Sequence, residues 1–246
     1  MHFGLVSEAA RRISPAATQI REPLEQRAAL PDVAERGSLT QDSLGYSVGK
    51  RALDVGLSVV ALVLAAPIML AVAIAIKLDS RGPVLFRQIR LGKHGKHFRC
   101  YKFRTMHLGA QAALQANPEL KRLFVQNDYK IPLEKDPRIT GMGRFLRKSS
   151  LDELPQLFNV LGASMSLVGP RPIEPEELVW YSGNEALFLS VRPGITGVWQ
   201  IQGRSRVKHP ERMRVELEAI QNRSLWRDLK VLAATVPAVF TSRGSL

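Results

Sequence analysis

The chain has 246 residues, of which 45% are hydrophobic and 7% aromatic, and it carries a formal charge of +13. That length allows one ordinary domain with appendages, and that charge requires an anionic partner: a phosphorylated substrate, an anionic lipid surface or nucleic acid. The sparse aromatics are not interleaved with basic residues, which argues against a base-stacking nucleic-acid site, and a single cysteine, Cys100, excludes an intrachain disulfide framework.

Residues 1–45 mix Arg, Glu, Ala, Pro and Gln without sustained periodicity, apart from a short helical stretch at Glu22–Leu30. They lack the order of regions of a signal peptide and are predicted to be a mostly disordered leader. Val55–Ile76 differs: it carries no charge over about 22 positions, enough for a helix to cross ~30 Å of hydrocarbon. Pro67 sits near its middle, where a missing backbone hydrogen bond costs about 3 kcal/mol in a straight helix. Lys50 and Arg51 precede the run, and Lys77, Arg81, Arg87 and Arg90 follow it, so positive charge draws both ends to the cytoplasm. A re-entrant helix over residues 46–80, broken at Pro67, satisfies both facts. A Pro-kinked single span is the alternative.

Gly82-Pro83 predicts a turn, PVLFRQIRLG a strand, GKHGK a tight basic turn, and His97–Met106 a second strand, together a hairpin. Neither GKHGK nor Gly141-Met142-Gly143 has the spacing of a nucleotide-binding glycine loop. Leu108–Val125 reads as an amphipathic helix weakened by Asn117-Pro118. Asp136–Gly141 reads as a loop in which Asp136 and Arg138 can pair.

The chemistry is densest at Leu146–Pro172. Leu151, Leu154, Leu157, Phe158 and Leu161 have helical spacing, and Gly169-Pro170-Arg171-Pro172 ends the run. Ser150-Leu151-Asp152-Glu153 fits a capping box at the start of that helix. It equally fits a phosphate site: a helix N-terminus flanked by Arg147, Lys148 and Arg171 attracts anions. There Asp152 can act as a nucleophile and Glu153 can hold a divalent metal. The two readings are compatible. Lys102 and Arg104 on the second strand, and Arg192, are further candidate phosphate or nucleotide contacts. Beyond this stretch, Glu176–Ser190 reads as helix, Ile195–Ile201 as strand, and Glu211–Gln221 as a charged helix. Leu225–Phe240 is a more apolar helix suited to a membrane surface or to core packing. Trp199 reads as a core aromatic. The histidines are scattered without zinc spacing, and no G-x-S-x-G occurs.

Five blocks in order resemble the bacterial sugar transferases, or monotopic phosphoglycosyl transferases. They are KRALDVGLSVVALVLAAPIMLAVAIAIKLDSRGPVLFRQIRLG, KHFRCYKFRTM, DPRITGMGRFLRKSSLDELPQLFNVLGASMSLVGPRP, RPGITGVWQIQGRS and SLWRDLKVLAATVPAVF, covering roughly Lys50 to Phe240. The resemblance implies transfer of a sugar phosphate from a UDP-sugar to a polyprenyl phosphate such as undecaprenyl phosphate, with UMP released. It implies Asp152 as covalent nucleophile, Glu153 on Mg²⁺, and Arg147 and Arg171 near the phosphates. It also implies a re-entrant membrane helix and a catalytic domain on the cytoplasmic face of the bacterial inner membrane, serving exopolysaccharide or another surface glycan. One departure is visible: Ala66 precedes Pro67, where some members carry Ser.

The expected architecture is therefore a helix-rich α+β monotopic membrane protein. It has a leader (1–45), a re-entrant membrane helix (46–80) and a catalytic domain (81–246) that contains a small β-hairpin and ends in an amphipathic helix. Two rival readings are a membrane-anchored basic binding protein and a Mg²⁺-dependent phosphohydrolase using the same Asp.

Overall fold

The computed structural model describes residues 43–126, 131–202 and 210–240. The predicted leader lies outside the described residues, except for its last three positions.

Helix α1 (Leu44–Asp79) starts at Ser43, whose side chain accepts from the Tyr46 N–H at 3.2 Å. It runs for 36 residues, about 54 Å. The expected break at Pro67 does not interrupt it: the backbone is helical on both sides, with Pro67 inside. A proline removes one hydrogen bond, and the many bonds on either side hold the helix together. Val63, Leu64 and Leu70, in its middle, are each about two-thirds exposed. This helix is long and apolar enough to cross a membrane.

Both ends of α1 are tied to the rest of the described chain. Near the start, Arg51 donates to the Val160 and Leu161 carbonyls at 2.7 and 2.8 Å. Asp54 is buried and accepts from Lys50 Nζ, Ser166 Oγ and the Leu167 N–H at 3.1, 3.1 and 3.0 Å. Near the end, Val72 and Ile76 pack on Phe103 and Leu146. Arg104 donates to the Pro83 and Ser80 carbonyls and to Ser80 Oγ, at 2.6, 2.8 and 2.8 Å.

The expected hairpin is present. Strands β1 (Leu85–Leu91) and β2 (His97–Phe103) pair antiparallel, from Leu85 opposite Phe103 to Leu91 opposite His97, through a turn in which His94 is left-handed (φ 58°). The single amphipathic helix expected over Leu108–Val125 is two, α2 (Ala110–Ala116) and α3 (Pro118–Gln126). Asn117 ends the first and its side chain accepts from the Leu120 N–H at 3.0 Å in the second.

Helix α4 (Gly141–Ser149) is capped by Thr140, whose hydroxyl accepts from the Gly143 N–H at 2.9 Å. A single 3-10 turn, Leu151–Glu153, links it to α5 (Gln156–Leu161). Strand β3 (Ser166–Val168) then pairs in parallel with β4 (Gly194–Thr196). The helix expected over Glu176–Ser190 is a 3-10 stretch, Pro175–Tyr181, and a short α6 (Glu185–Phe188), separated at Gly183 with φ 83°. The strand expected over Ile195–Ile201 stops at Thr196, and α7 (Val198–Ile201) follows. Helices α8 (Glu211–Gln221) and α9 (Leu225–Phe240) keep their expected bounds.

The core has two main parts. Cys100, Leu157, Val160, Met165 and Leu167 pack between β2, α5 and β3, and Ile173, Tyr181, Phe188, Met213 and Leu217 pack against α8. With Gln156, Asn159 is one of two buried polar residues on α5. It joins the hairpin to the helix by accepting from the Tyr101 N–H at 2.9 Å and donating to the Arg99 carbonyl at 2.8 Å.

Candidate active site

Three elements converge on the acid pair. The first is α4, which presses on the end of β2. A Cβ at Gly143 would overlap the Thr105 backbone, so only glycine allows this approach. Arg147, one turn further on, thereby places Nε 3.0 Å from Thr105 Oγ1. The helix then stops, because Ser150 is left-handed (φ 58°) and its N–H closes back on the Arg147 carbonyl.

The local reading of this stretch is thus corrected in two ways. Ser150 makes no side-chain capping bond, so Ser150–Glu153 is not a capping box. Asp152 and Glu153 lie in a 3-10 turn that follows a helix C-terminus, not at the start of an α-helix. The positive end of a macrodipole is therefore not what surrounds them. Positive charge here comes from side chains.

The second element is β2, which supplies Lys102. Its Nζ lies 2.8 Å from Glu153 Oε1, an ion pair with both partners partly exposed. The third is the Gly169–Pro172 turn carrying Arg171. The Arg171 N–H donates to Glu216 Oε1 at 3.1 Å, and Glu216 also accepts from the Tyr181 hydroxyl. Among the described residues the Arg171 guanidinium makes no hydrogen bond, and its field reaches Glu153. Burial, and then the charge of Arg212, push Arg171 down from the usual arginine value.

Asp152 itself is partly buried, and no cation hydrogen-bonds it among the described residues. Burial, and then the like charge of Glu153, push its carboxyl up to about 6. Lys102 and Arg147 pull in the opposite direction without prevailing. Side-chain cations, not a helix N-terminus, are what oppose that rise. The charge of Asp152 is poorly compensated. A carboxylate of this kind is more basic, and more nucleophilic, than an ordinary one.

The remaining candidates fall elsewhere. Arg104 is buried, and its three guanidinium nitrogens are used on the Ser80 and Pro83 end of α1. Arg192 donates its Nε to the Ala163 carbonyl at 2.8 Å and makes no bond to either acid among the described residues. Lys148 ends α4 beside Arg147. Asp136 and Arg138 form the expected loop pair, bidentate at 2.8 and 2.7 Å and buried, close enough to Arg147 for their charges to interact. Trp199 is buried, under the Arg212 guanidinium at 4.4 Å. Sequence reasoning missed Thr105 and Glu216, which position Arg147 and Arg171. Nothing local marks them, since each lies more than 40 residues from the arginine it serves.

No cluster of three or more His, Cys, Asp or Glu side chains is found among the described residues. The adjacent carboxylates of Asp152 and Glu153 nevertheless fit Mg²⁺, which typically takes one or two protein carboxylates and completes its shell with water and substrate phosphates. Their mutual repulsion is what a divalent cation would relieve.

Residues 45–242 match the family described as bacterial sugar transferase. The chain is 42% identical over 199 residues to the undecaprenyl-phosphate galactose phosphotransferase of Salmonella typhimurium, covering 80% of this chain and 41% of that protein. It is 40% identical over 202 residues to the exopolysaccharide production protein ExoY of Rhizobium meliloti, covering 80% and 88%. It is 41% identical over 201 residues to the UDP-glucose:undecaprenyl-phosphate glucose-1-phosphate transferase of Caulobacter vibrioides, covering 78% and 70%. The chain thus spans about two-fifths of the length of the Salmonella relative and most of the length of the Rhizobium one. On the strength of a match over most of its length, this chain belongs to the bacterial sugar transferase family.

Proposed function

We propose that this chain transfers a sugar-1-phosphate from a UDP-sugar to undecaprenyl phosphate, in two steps through Asp152. The observation that carries the reading is a carboxyl pushed up to about 6, ringed but not neutralised by Lys102, Arg147 and, on the Glu153 side, Arg171. The names of the relatives supply the substrates: undecaprenyl phosphate for the Salmonella and Caulobacter proteins, and UDP-glucose for the latter.

In the first step a carboxylate oxygen of Asp152 bonds to the sugar-bearing phosphorus. The phosphorus–oxygen bond to UMP breaks, and UMP leaves with the electron pair. Arg147 and Arg171 offer donors to the phosphoryl oxygens. Among the described residues only Nε of Arg147 is held, by Thr105, which leaves its terminal nitrogens for this. In the second step the phosphate oxygen of the lipid attacks the same phosphorus, Asp152 leaves as a carboxylate, and a polyprenyl-diphosphate-sugar forms. A Mg²⁺ ion held by Glu153 would neutralise diphosphate charge. Lys102 bridges Glu153 and keeps it turned toward the site.

The same reading gives α1 a task. Its exposed apolar middle suits hydrocarbon, while both its ends are bonded to one catalytic body through Arg51, Asp54 and Arg104. A helix that crossed the bilayer would put those ends on opposite sides. This supports a helix that stays with one face of the bilayer, the cytoplasmic face of the inner membrane. Phe145 and Phe158, on the helices either side of the acid turn, are exposed. They suit a site at headgroup level, where the phosphate of a lipid acceptor lies.

The test is UMP release from a panel of UDP-sugars with and without undecaprenyl phosphate. A labelled phospho-sugar should accumulate on the protein when the acceptor is withheld, and Asp152→Asn should abolish it. Release of free sugar phosphate in place of a lipid product would replace transfer by hydrolysis. For the membrane arrangement, cysteines introduced at Gly45 and Arg81 should be labelled from the same side of inverted vesicles, and labelling from opposite sides would establish a span.

A further inference from the structure

A cavity of about 360 Å³ lies behind the Gly169–Pro172 turn, between the first turns of α1, the β3–β4 turns and helices α8 and α9. None of Lys102, Arg147, Asp152, Glu153 or Arg171 lines it. Its volume falls in the range of small-ligand pockets.

The charge around it does not balance. Three acids line the cavity, Asp54, Glu216 and Asp228, against six cationic side chains. Each acid is already engaged. Asp54 and Asp228 share Lys50 at 3.1 and 3.2 Å, and Glu216 is bonded to Tyr181 and to the Arg171 N–H, with Arg212 at 3.5 Å. Among the described residues the Arg51 guanidinium is held by neutral carbonyls only. Arg192 uses Nε on the Ala163 carbonyl, and its two terminal nitrogens have no partner among the described residues. The side chains of Lys93 and Arg227 have none there either. Between these cations the wall is apolar, including Val168, Val191, Ile220 and Val231.

We propose that this cavity is a second anion site, which takes an amphiphilic phosphate: a phosphate head gripped by Arg192 and Arg227, joined to an apolar body lying along the valine wall. Guanidinium forks match phosphate oxygens in pairs. A concave, low-dielectric wall concentrates the field of the uncompensated cations on whatever anion enters. The apolar lining gives no reason to prefer a free inorganic ion. Neither the match to the family nor the proposed transfer uses this site.

The test is calorimetric titration of the full-length protein in phosphatidylcholine nanodiscs. Three probes separate head from body: dihexanoyl phosphatidic acid, sn-glycerol 3-phosphate, and dihexanoylglycerol, which lacks the phosphate. Dihexanoyl phosphatidic acid should bind saturably and dihexanoylglycerol should not. Arg192→Gln/Arg227→Gln should weaken binding at least tenfold, Lys93→Gln should weaken it less, and Arg147→Gln should leave it unchanged. Preference for the phosphatidic acid over glycerol 3-phosphate would support an amphiphilic occupant, and equal binding of glycerol 3-phosphate would overturn it, because the apolar body would then contribute nothing. The proposal is overturned if no phosphate probe binds at about 1 mM. It is equally overturned if binding survives both cavity variants, or is lost in Arg147→Gln and so belongs to the acid pair.

Discussion

Two aspartates, Asp54 and Asp152, sit in contrasting surroundings. Asp54 is almost fully buried, yet its carboxylate accepts from an ammonium, a hydroxyl and a backbone N–H, all within 3.1 Å. Asp152 is less enclosed, but among the described residues no cation hydrogen-bonds it, and a second carboxylate stands beside it. The first is a fastening: it joins α1 to β3, and its charge is fully accounted for. The second is held at a cost to the fold, which is the mark of a group kept for chemistry. Burial alone therefore does not separate the two acids; the state of their partners does.

The sharpest way to break this contrast is to neutralise each acid by its amide. Asp152→Asn should lower turnover at least ~10³-fold, because the proposed nucleophile is gone. It should also raise stability by about 1 kcal/mol. The sign follows from the shift: with a folded value near 6 and an unfolded one near 4, the native state holds the proton more tightly. Stability contributed by this group is present at low pH and is lost as pH rises between those values, so at pH 7 the ionised form destabilises the fold. The amide removes that penalty. Thermal melting at pH 7.5 reads the gain, and a clear loss of stability would place Asp152 with the fastenings.

Asp54→Asn should do the reverse. It leaves Lys50 short of one buried partner and should cost about 3 kcal/mol of stability. The folded fraction should keep the turnover of the parent protein. A specific-activity loss like that of Asp152→Asn, at full folding, would contradict the division of roles.

A third variant, Gly143→Ala, acts on the frame of the site. The added methyl would overlap the Thr105 backbone, forcing α4 off β2. About 2 kcal/mol of stability should be lost to overpacking. Turnover of the folded fraction should fall as well, because Arg147 is placed through Thr105. Unchanged activity per folded molecule would show that Arg147 finds its place without α4.

The same glycine explains what could and could not be read from the amino-acid string. The hairpin was legible because alternation and a glycine-rich turn are local signals. Helices α8 and α9 were legible because their periodicity is uninterrupted. Asp152, Glu153, Arg147 and Lys102 were legible as candidates because the acid pair and its basic neighbours are unusual in one stretch, and the structure does bring Lys102 to Glu153. Ser150–Glu153 was misread because the same four residues serve equally as a capping box or as a turn after a left-handed C-cap. The choice is made by α4 resting on Thr105, some 40 residues earlier in the chain. Arg104 was misread for the same reason: on a strand it looks like a free cation, but the carbonyls it satisfies belong to the end of a helix more than 20 residues away.

The smallest effect is also the most specific. The acidic limb of kcat/KM reports the ionisation of the free enzyme's essential base, and for Asp152 it should fall near pH 6, well above an ordinary aspartate. Two neighbours pull the limb in opposite directions. Glu153→Gln removes the like charge and should move it down, while Lys102→Met removes a favourable charge and should move it up, each by a fraction of a unit to about one unit. Both variants should also lose activity, one by removing the proposed metal ligand and the other by freeing Glu153 from its ion pair, so rate alone does not separate a direct role from a general one. The opposed displacement does. If both variants moved the limb the same way, or neither moved it, the group titrating in the profile would not be the carboxylate of Asp152.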